Sequence, residues 1–338
     1  MTSVAVVCSA HGLGHLTRSL ELAAGLRRAG ASVTLFTASP GAALAWDPGL
    51  EVVAAQPDVG FVQTDGITED VAATLRLLEE RCDDAAIDVL AGRLAPFDLV
   101  VADTPPTALE AARRAGVPAV AVGNFDWASI YAAYAGLEAW SRRFAAWQAH
   151  HPGIRLWPGP GLHGFASVRP VGLLARRSPA VALAPKTVLV AFSAHGLPGG
   201  PDLLPRMPGV TWVVDDDFAG LRPDFEAMDR RPFPGLVAGA GAVLTKPGYG
   251  IVAEALACGA RLAWIPRGRF PEAASLEEVL RGRGDPAVEA MTPEAVGRAV
   301  AEALGAAGPA PLGDPDEGDR VAAEVLRISS NAARRGSG

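Results

Sequence analysis

Cysteine and long apolar runs are scarce in this chain of 338 residues, and each scarcity excludes a class of protein. The three cysteines, Cys8, Cys82 and Cys258, are scattered and odd in number, so they form neither a zinc-binding spacing nor a disulfide framework and fit a reducing cytoplasm. The apolar runs, such as residues 99–102, are far too short to span a bilayer. The first residues carry no basic stretch and no cleavage-site pattern, so we expect no export signal and a cytoplasmic location.

Positive charge is also in short supply. The 30 basic and 37 acidic residues give a net charge of −7, which argues against a nucleic-acid-binding protein. Lysine is especially rare, since Lys186 and Lys246 are the only two in the sequence. The hydrophobic share of 49% is ample for packed cores and excludes a disordered chain. The length suits about two domains of ordinary size.

Short apolar runs alternate with helical patterns along most of the chain. Residues 4–7, 32–36, 99–102 and 119–122 are typical of buried strands, and the spacing of leucines and alanines predicts a helix over 16–29. Further helices are expected near 69–93, 106–115, 250–258, 275–281, 293–305 and 318–328. This alternation predicts parallel sheets covered by helices. A stretch rich in proline and glycine, at about 150–185, is interpreted as a linker.

An internal repeat divides the chain in two. Residues 4–15 (VAVVCSAHGLGH) return as residues 188–199 (VLVAFSAHGLPG), in each case a strand followed by Ser-Ala-His-Gly-Leu. We therefore predict an α/β protein of two Rossmann-like parallel-sheet domains that face each other across a cleft. The expected boundaries are 1–168 for an N-terminal domain, 169–316 for a C-terminal domain that includes the linker, and 317–338 for a terminal helix and tail.

A glycine-rich turn with two histidines follows the first strand. Gly12 and Gly14 allow a ligand to approach the backbone closely, and the start of the next helix supplies donors for an anion. His11 and His15 could each act as a general base near neutral pH. A zinc site would need a third ligand nearby, and a plain strand–helix turn capped by histidines remains an alternative. No acidic residue completes a dinucleotide fingerprint, so a nicotinamide enzyme is disfavoured.

A second glycine-rich turn stands between a strand and a helix in the C-terminal half. Gly248 and Gly250 open the helix, and Lys246 precedes them with a positive charge suited to a phosphate. Glu254 lies about one turn into the helix, where a carboxylate could accept hydrogen bonds from ribose hydroxyls. We interpret Glu254 as an exposed position of that helix; an ordinary turn with a solvated glutamate is the alternative.

Polar and aromatic residues follow two further strands of the N-terminal half. Asp103 ends one strand, and Asn124, Asp126, Trp127 and Tyr131 follow the next. Amide, carboxylate and indole groups together suit a sugar, which offers both hydroxyl groups and an apolar ring face. Each residue could equally be a helix cap or a packed aromatic.

Two features are better explained by structure than by function. Residues 215–217 contain an Asp-x-Asp that could hold a divalent metal, but a solvated acidic loop is the favoured interpretation. Trp140, Phe144 and Trp147 fall at helical spacing beside arginines and could touch a membrane surface, but a stripe facing the core is favoured. Because the acidic loop is interpreted as solvated, we expect no metal ion at 215–217, and we expect no cofactor.

On the basis of these residues, the chain resembles glycosyltransferases of the B-type, twin-Rossmann fold. Residues 245–267 (TKPGYGIVAEALACGARLAWIPR) are similar to the nucleotide-sugar-binding segment of the lipid II N-acetylglucosaminyltransferases. Residues 11–26, 97–134 and 269–272 resemble more narrowly the glycosyltransferase-like N-terminal region of L-arabinokinases and its stand-alone bacterial relatives. The resemblance covers most of the chain, although we expect no counterpart of the kinase half.

The resemblance implies that residues 1–168 form an acceptor-side domain and residues 169–316 a nucleotide-sugar-binding domain. It also implies a role for individual residues. His15 corresponds to the usual base candidate, while Ser193, His195 and Gly196 fall on the loop that approaches the donor pyrophosphate. Tyr249 belongs with the two glycines of the second phosphate turn, and Glu254 corresponds to the ribose ligand. The lipid II enzymes hold the donor sugar with a glutamine-rich segment, and this chain has Arg267 at the start of the corresponding stretch, 267–272.

The sequence thus predicts a metal-independent transferase of the hexosyl or N-acetylhexosaminyl type. It would move a sugar from a nucleoside diphosphate sugar, with UDP-sugar as the favoured donor, to an unknown acceptor. His15 would act as the base, with His11 and Asp103 as further candidates, and Lys246 would stabilise the leaving diphosphate. The alternatives are a sugar-nucleotide hydrolase or 2-epimerase, and a protein that binds a sugar nucleotide without turnover.

Overall fold

The computed structural model describes residues 1–192, 196–229 and 231–335 of the chain, which fall into two compact units. The first unit comprises Met1–Val62, Asp70–Leu174 and the C-terminal residues from Asp314 onwards. The second comprises Ala175–Gly313 together with the short segment Gln63–Glu69.

The first unit is built on a sheet of seven parallel strands. In chain order they are β1 (Ser3–Cys8), β2 (Ser32–Thr37), β3 (Glu51–Ala54), β4 (Leu99–Asp103), β5 (Ala119–Gly123), β6 (Pro152–Arg155) and β7 (Ser167–Pro170). Their order in the sheet is β3-β2-β1-β4-β5-β6-β7. β4 and β5 are buried along their whole length, which is why they appear in the sequence as unbroken apolar runs rather than alternating patterns.

Seven helices connect these strands and cover the sheet. They are α1 (Leu13–Arg28), α2 (Pro40–Trp46), α3 (Val71–Arg81), α4 (Asp84–Leu94), α5 (Pro106–Ala115), α6 (Trp127–Ala132) and α7 (Glu138–Gln148). Leu16, Leu20 and Leu26 of α1 are buried, as their spacing predicts. Part of the core lies beneath α4 and α5, whose apolar residues pack on alternate residues of β1 and β4.

Two sequence-based predictions for the first unit are wrong. The helix expected over 69–93 is two helices, because Asp83 caps a new one by accepting a hydrogen bond from the backbone N–H of Ala86 at 2.8 Å. The supposed linker at 150–185 contains β6 and β7, which extend the first sheet at its edge. Their prolines stand at the first position of β6 and the last of β7, where sheets tolerate proline.

The second unit contains a smaller sheet of five parallel strands. Its strands are β8 (Thr187–Ala191), β9 (Thr211–Val214), β10 (Phe225–Ala227), β11 (Ala242–Thr245) and β12 (Leu262–Trp264), in the order β10-β9-β8-β11-β12. Its helices are α8 (Phe233–Gly239), α9 (Tyr249–Cys258), α10 (Pro271–Gly282) and α11 (Pro293–Gly305). Two parallel sheets with their helices confirm the predicted fold class.

The C-terminal helix, α12 (Glu317–Arg335), belongs to the first unit, where it packs against α1. Glycines allow the two helices to approach closely: a Cβ atom on Gly25 would lie 2.5 Å from the carbonyl oxygen of Gly318. Arg28 and Asp319 add an ion pair at 2.7 Å between the same helices.

Each sheet contains one point at which the strand order reverses. In the first sheet β1 lies between β2 and β4, and in the second β8 lies between β9 and β11. The reversal falls between β1 and β4 in the first sheet and between β8 and β11 in the second. The loops that leave the carboxyl ends of these two neighbouring strands run in opposite directions and open a crevice, which is where ligands of open parallel sheets bind. The two glycine-rich turns singled out in the sequence follow β1 and β11, so each unit places one of them at its own crevice.

Candidate functional site

The turn after β1 is shaped by glycine. Gly12 has a φ of +79°, a conformation that glycine adopts without steric cost, and α1 begins at the next residue. Gly14 lies in the first turn of α1, where backbone N–H groups lack helical partners. His11 is partly exposed, and its Nδ1 accepts a hydrogen bond from the backbone N–H of Phe61 at 3.1 Å.

His15 and Asp103 form a buried pair at the carboxyl end of the first sheet. His15 lies in the first turn of α1, Asp103 is the last residue of β4, and their exposed fractions are 5% and 1%. His15 Nδ1 lies 3.0 Å from Asp103 Oδ1. With its proton on Nδ1, the imidazole donates to Asp103 and keeps Nε2 as the nitrogen that can accept a proton.

Arg18, which no sequence motif singled out, completes this arrangement. Its Nε donates to Asp103 Oδ1 at 2.7 Å and its Nη1 donates to Asn124 Oδ1 at 2.5 Å, while Nη2 also reaches the Asp103 carboxylate. Nη2 also lies 2.8 Å from His15 Nδ1, so this nitrogen donates to Asp103 when it carries the ring proton and accepts from Arg18 when the proton is on Nε2. The other oxygen of Asp103 accepts a hydrogen bond from Ser19 Oγ at 2.7 Å.

The charge state of Asp103 follows from these contacts. Burial alone raises the pKa of a carboxyl group, but the adjacent Arg18 and His15 outweigh it and lower the pKa of Asp103 to about 2. Asp103 is therefore ionised at neutral pH and can both orient the His15 ring and stabilise it when it takes up a proton.

Two of the predicted acceptor-binding residues lie beside this pair. Asn124 is fully buried and holds Arg18. The indole ring of Trp127 meets the His11 ring edge-on, with 5.0 Å between centroids, and lies 6.4 Å from the His15 ring. Trp127 is 1% exposed, and its Nε1–H is buried without a hydrogen-bond partner among the described residues.

The other two, Asp126 and Tyr131, have structural partners. Asp126 caps α6 by accepting from the backbone N–H of Ser129 at 2.7 Å, and its second oxygen accepts from the backbone N–H of His163 at 2.9 Å. The Tyr131 hydroxyl donates to the carbonyl oxygen of Gly60, and burial raises its pKa well above the usual value. Both groups are already satisfied within the first unit.

The turn after β11 places Lys246 and the start of α9 together in the second unit. Gly248 is the N-cap of α9, followed by the buried Tyr249 and by Gly250. Lys246 is 8% exposed, and its Nζ donates to the carbonyl oxygen of Gly66 in the segment Gln63–Glu69. Burial, reinforced by Arg267, lowers the pKa of Lys246 to about 7.

The loop after β8 is described only in part. Ser193 and His195, both predicted to approach the donor pyrophosphate, lie outside the described residues. Gly196 is described and has a φ of +73°. Its carbonyl oxygen would lie 3.0 Å from a Cβ atom on Gly66, so these two glycines are packed closely.

Glu254 is buried, so the prediction of an exposed position on its helix is wrong. It is 4% exposed on α9, and its Oε1 forms an ion pair with Arg176, whose Nε and Nη2 lie at 2.8 and 2.7 Å. Burial raises the pKa of Glu254, while Arg176 acts in the opposite direction. The helical pattern could not show this burial, because Arg176 comes from the distant stretch that was interpreted as a linker.

Arg267 lies among carboxylates close to Lys246. Its Nη1 lies 3.7 Å from Glu272 Oε2, its Nε lies 3.9 Å from Glu69 Oε1, and its guanidinium stacks at 3.8 Å on the ring of Phe270. Two cations and the start of a helix therefore converge in the second unit, an arrangement suited to an anion.

The acidic loop and the aromatic stripe noted in the sequence both lie among the described residues. Residues 215–217 are exposed, and the described residues contain no cluster of three or more metal-ligating side chains. Trp140 and Phe144 are buried and their rings meet edge to face, with 5.6 Å between centroids, while Trp147 of the same helix is partly buried. Among the described helices, none is both long and apolar enough to cross a membrane.

Comparisons with known proteins give one similar sequence. No protein-family model matches the chain. It is 28% identical over 297 residues to the L-arabinokinase of Arabidopsis thaliana, an alignment that covers 80% of this chain and 29% of that protein. The chain thus spans less than a third of that relative's length.

Similar solved structures are more numerous. The spinosyn forosaminyltransferase SpnP matches with a TM-score of 0.62 at 17% identity and covers 97% of this chain and 95% of its own. The glycosyltransferase VinC, solved with DTDP, matches at 0.59 and 15% identity, covering 98% and 100%. MurG of Acinetobacter baumannii matches at 0.55 and 16% identity, covering 97% and 100%.

At these identities the structural likeness establishes the fold. It confirms the resemblance given by the sequence motifs, and the two parallel sheets agree with it. The chain therefore has the twin-Rossmann, B-type fold of the glycosyltransferases, and along most of its length its sequence is similar to an L-arabinokinase.

Proposed function

We propose that this protein is a glycosyltransferase that moves a sugar from a nucleoside diphosphate sugar to an acceptor hydroxyl. The observation that carries the proposal is the buried pair of His15 and Asp103 at the crevice of the first sheet, 3.0 Å apart. An ionised carboxylate behind an imidazole orients the ring and stabilises its protonated form, which suits the imidazole to act as a general base. The B-type fold of glycosyltransferases supports the same assignment.

In this proposal the first unit activates the acceptor. His15 Nε2 takes the proton of the acceptor hydroxyl, whose oxygen then forms a bond to the anomeric carbon of the donor sugar. Asp103 stabilises the imidazolium that results, and Arg18 keeps the carboxylate fixed and ionised. Trp127 is proposed to contact the acceptor. His11, whose ring lies next to Trp127, is proposed to orient the glycine-rich turn or a donor phosphate.

The second unit would hold the donor and receive the leaving group. As the bond between the anomeric carbon and the diphosphate breaks, negative charge develops on the diphosphate oxygens. Lys246, Arg267 and the backbone N–H groups at the start of α9 can stabilise that charge without a metal ion. We propose a UDP-sugar of the hexose or N-acetylhexosamine type as the donor, with dTDP-sugars as the alternative because the similar VinC was solved with DTDP.

Glu254 is proposed to bind the donor ribose. Its carboxylate is paired with Arg176 in this structure, so a ribose must share the carboxylate with that arginine or displace it. Arg176 thereby becomes a further residue of the proposed donor site, since its guanidinium stands where the ribose hydroxyls would bind.

Nucleotide binding tests the donor half of the proposal. We expect UDP or dTDP, and their hexose and N-acetylhexosamine derivatives, to raise the melting temperature of the protein, since a ligand of the folded state stabilises it. Lys246→Met should weaken binding by roughly ten-fold, the effect of losing one charge-assisted contact. Lys186→Met removes the other lysine, which is exposed, and serves as the matched control. If no nucleotide stabilises the protein, the proposed donor site is wrong.

Chromatography of the products separates the remaining alternatives. Release of nucleoside diphosphate only when an acceptor is present supports the transferase. Release without an acceptor indicates the hydrolase, conversion to an isomeric sugar nucleotide indicates the 2-epimerase, and binding without any product indicates the binding protein.

A further inference from the structure

The segment Gln63–Glu69 forms a compact turn of its own, which we call the 63–69 loop. Gln63 and Glu69 pair as an isolated antiparallel bridge at its base. The Asp65 carboxylate accepts hydrogen bonds from the backbone N–H groups of Ile67 and Thr68, both at 2.8 Å, and from Thr68 Oγ1 at 3.0 Å. The loop therefore keeps its shape through its own contacts.

This loop meets the same groups that are proposed to bind the donor diphosphate. The carbonyl oxygen of Gly66 accepts the hydrogen bond of Lys246 Nζ. Glu69 Oε1 lies 3.9 Å from Arg267 Nε. Gly66 is buried against Gly196, close enough that a Cβ atom on it would lie 3.0 Å from the Gly196 carbonyl oxygen.

The charges of the loop resemble those of the ligand that the site is proposed to take. It contributes a carbonyl oxygen and the carboxylates of Asp65 and Glu69, and it lacks basic residues. Both carboxylates favour the charged form of Lys246, as a diphosphate would. An anion that reaches Lys246 must therefore compete with oxygen atoms that are already in place.

We propose that the 63–69 loop is an internal occupant of the donor site, and that a nucleoside diphosphate displaces it from Lys246. The inference rests on the proposed function, because it takes Lys246 and Arg267 to be the diphosphate-binding groups. The observed nucleotide affinity is then the intrinsic affinity of the open site multiplied by the fraction of molecules in which the loop is out of the site. Weakening the hold of the loop should therefore strengthen nucleotide binding.

Two variants loosen the loop by independent means. Gly66→Val adds bulk toward the Gly196 carbonyl without changing any charge, and the φ of Gly66 lies outside the left-handed region that would forbid a side chain. Glu69→Gln removes the anion that faces Arg267 at nearly constant size. Glu226→Gln, at an exposed position of β10, is the control for a general change of charge. Should Gly66→Val fail to fold, Glu69→Gln still tests the proposal.

The rarity of lysine supplies a direct readout of the loop position. An amine-acylating reagent read by mass spectrometry reports on two lysines, the covered Lys246 and the exposed Lys186 as an internal reference. We expect Gly66→Val and Glu69→Gln to acylate Lys246 about ten-fold faster relative to Lys186, and to bind UDP or dTDP about ten-fold more tightly in calorimetry, within the usual range of coupling between two equilibria.

Unchanged or weaker nucleotide binding in both variants would overturn the proposal, as would unchanged acylation of Lys246. Faster acylation combined with no nucleotide binding in any variant has a separate meaning. It would show that the loop covers Lys246 but that the site is not a donor site, and so would overturn the proposed function together with the role given to the loop.

Discussion

Arg18 is the residue on which the buried polar cluster of the first unit depends. It stands three positions after His15 on α1, so the two side chains share a helix face. That spacing was visible in the sequence, but arginine is the commonest cation of this chain and nothing distinguished Arg18 from those on the surface. Only the packing of α1 against β4 brings its guanidinium to Asp103 and Asn124.

Arg18→Met should lower the free energy of unfolding by about 3–5 kcal/mol, because it leaves the carboxylate of Asp103 buried without its main cationic partner. Urea unfolding at neutral pH measures the loss. Arg27→Met, which removes a more exposed ion pair with Asp47, is the control and should change the free energy by at most about 1 kcal/mol. Equal effects of the two substitutions would contradict the account of this cluster.

Lys246 should make the stability of the protein depend on pH. Its pKa is about 7 in the folded chain against an ordinary 10.5, so between these values the unfolded chain binds a proton that the folded chain has released. Stability should therefore rise with pH across that interval and stay level below it. The measurement is the difference in unfolding free energy between the wild type and Lys246→Met from about pH 6 to pH 10. A difference that does not change with pH would show that Lys246 keeps its ordinary pKa.

Thr104 illustrates a feature that no sequence pattern reveals. Its φ is +68°, in the left-handed region, where a β-branched residue is rarely found. The conformation fits only because residue 123 is a glycine, whose Cβ atom would otherwise lie 2.4 Å from Thr104 Cγ2. Strain of this kind is found at functional sites, and here it directly follows Asp103.

At the scale of elements, the pattern of apolar residues predicted the buried strands of the first sheet. The apolar runs predicted the positions of β1, β2, β4 and β5, because a strand that is buried on both faces consists of an almost unbroken run of apolar residues. The short strands β6 and β7 were missed because prolines stand at their ends and β7 is exposed along its length. Exposure removes the apolar signal on which such a prediction relies.

The packing of α1 against α12 gives a prediction at the same scale. Gly25→Ala should destabilise the protein by about 1–3 kcal/mol, since the added methyl group meets the backbone of Gly318. Gly92→Ala in α4 meets nothing within 4 Å and should stabilise it by up to about 1 kcal/mol through helix propensity. Thermal unfolding of both variants gives the comparison. A stabilising Gly25→Ala would show that the helices are not in close contact.

For the whole molecule, the internal repeat and the two glycine-rich turns were sufficient to predict two Rossmann-like domains. Both turns follow a strand at the point where the order of its sheet reverses, which is where the alternation of strands and helices indicated a ligand site. The partners of the site residues could not be predicted, because they come from distant parts of the chain. Arg176 on Glu254 and Gly66 on Lys246 are the two examples that most affect the proposed donor site.

The central claim is that His15 is the base of a sugar transfer, and its most direct test is the turnover of His15→Ala. The measurement is the release of nucleoside diphosphate from a sugar nucleotide in the presence of an acceptor, alongside calorimetric binding of the same nucleotide. We predict a loss of about two to four decades in turnover, the usual contribution of a general base, with nucleotide affinity nearly unchanged. His11→Ala should instead weaken binding and slow turnover together. A His15→Ala variant that turns over at the wild-type rate would contradict the account.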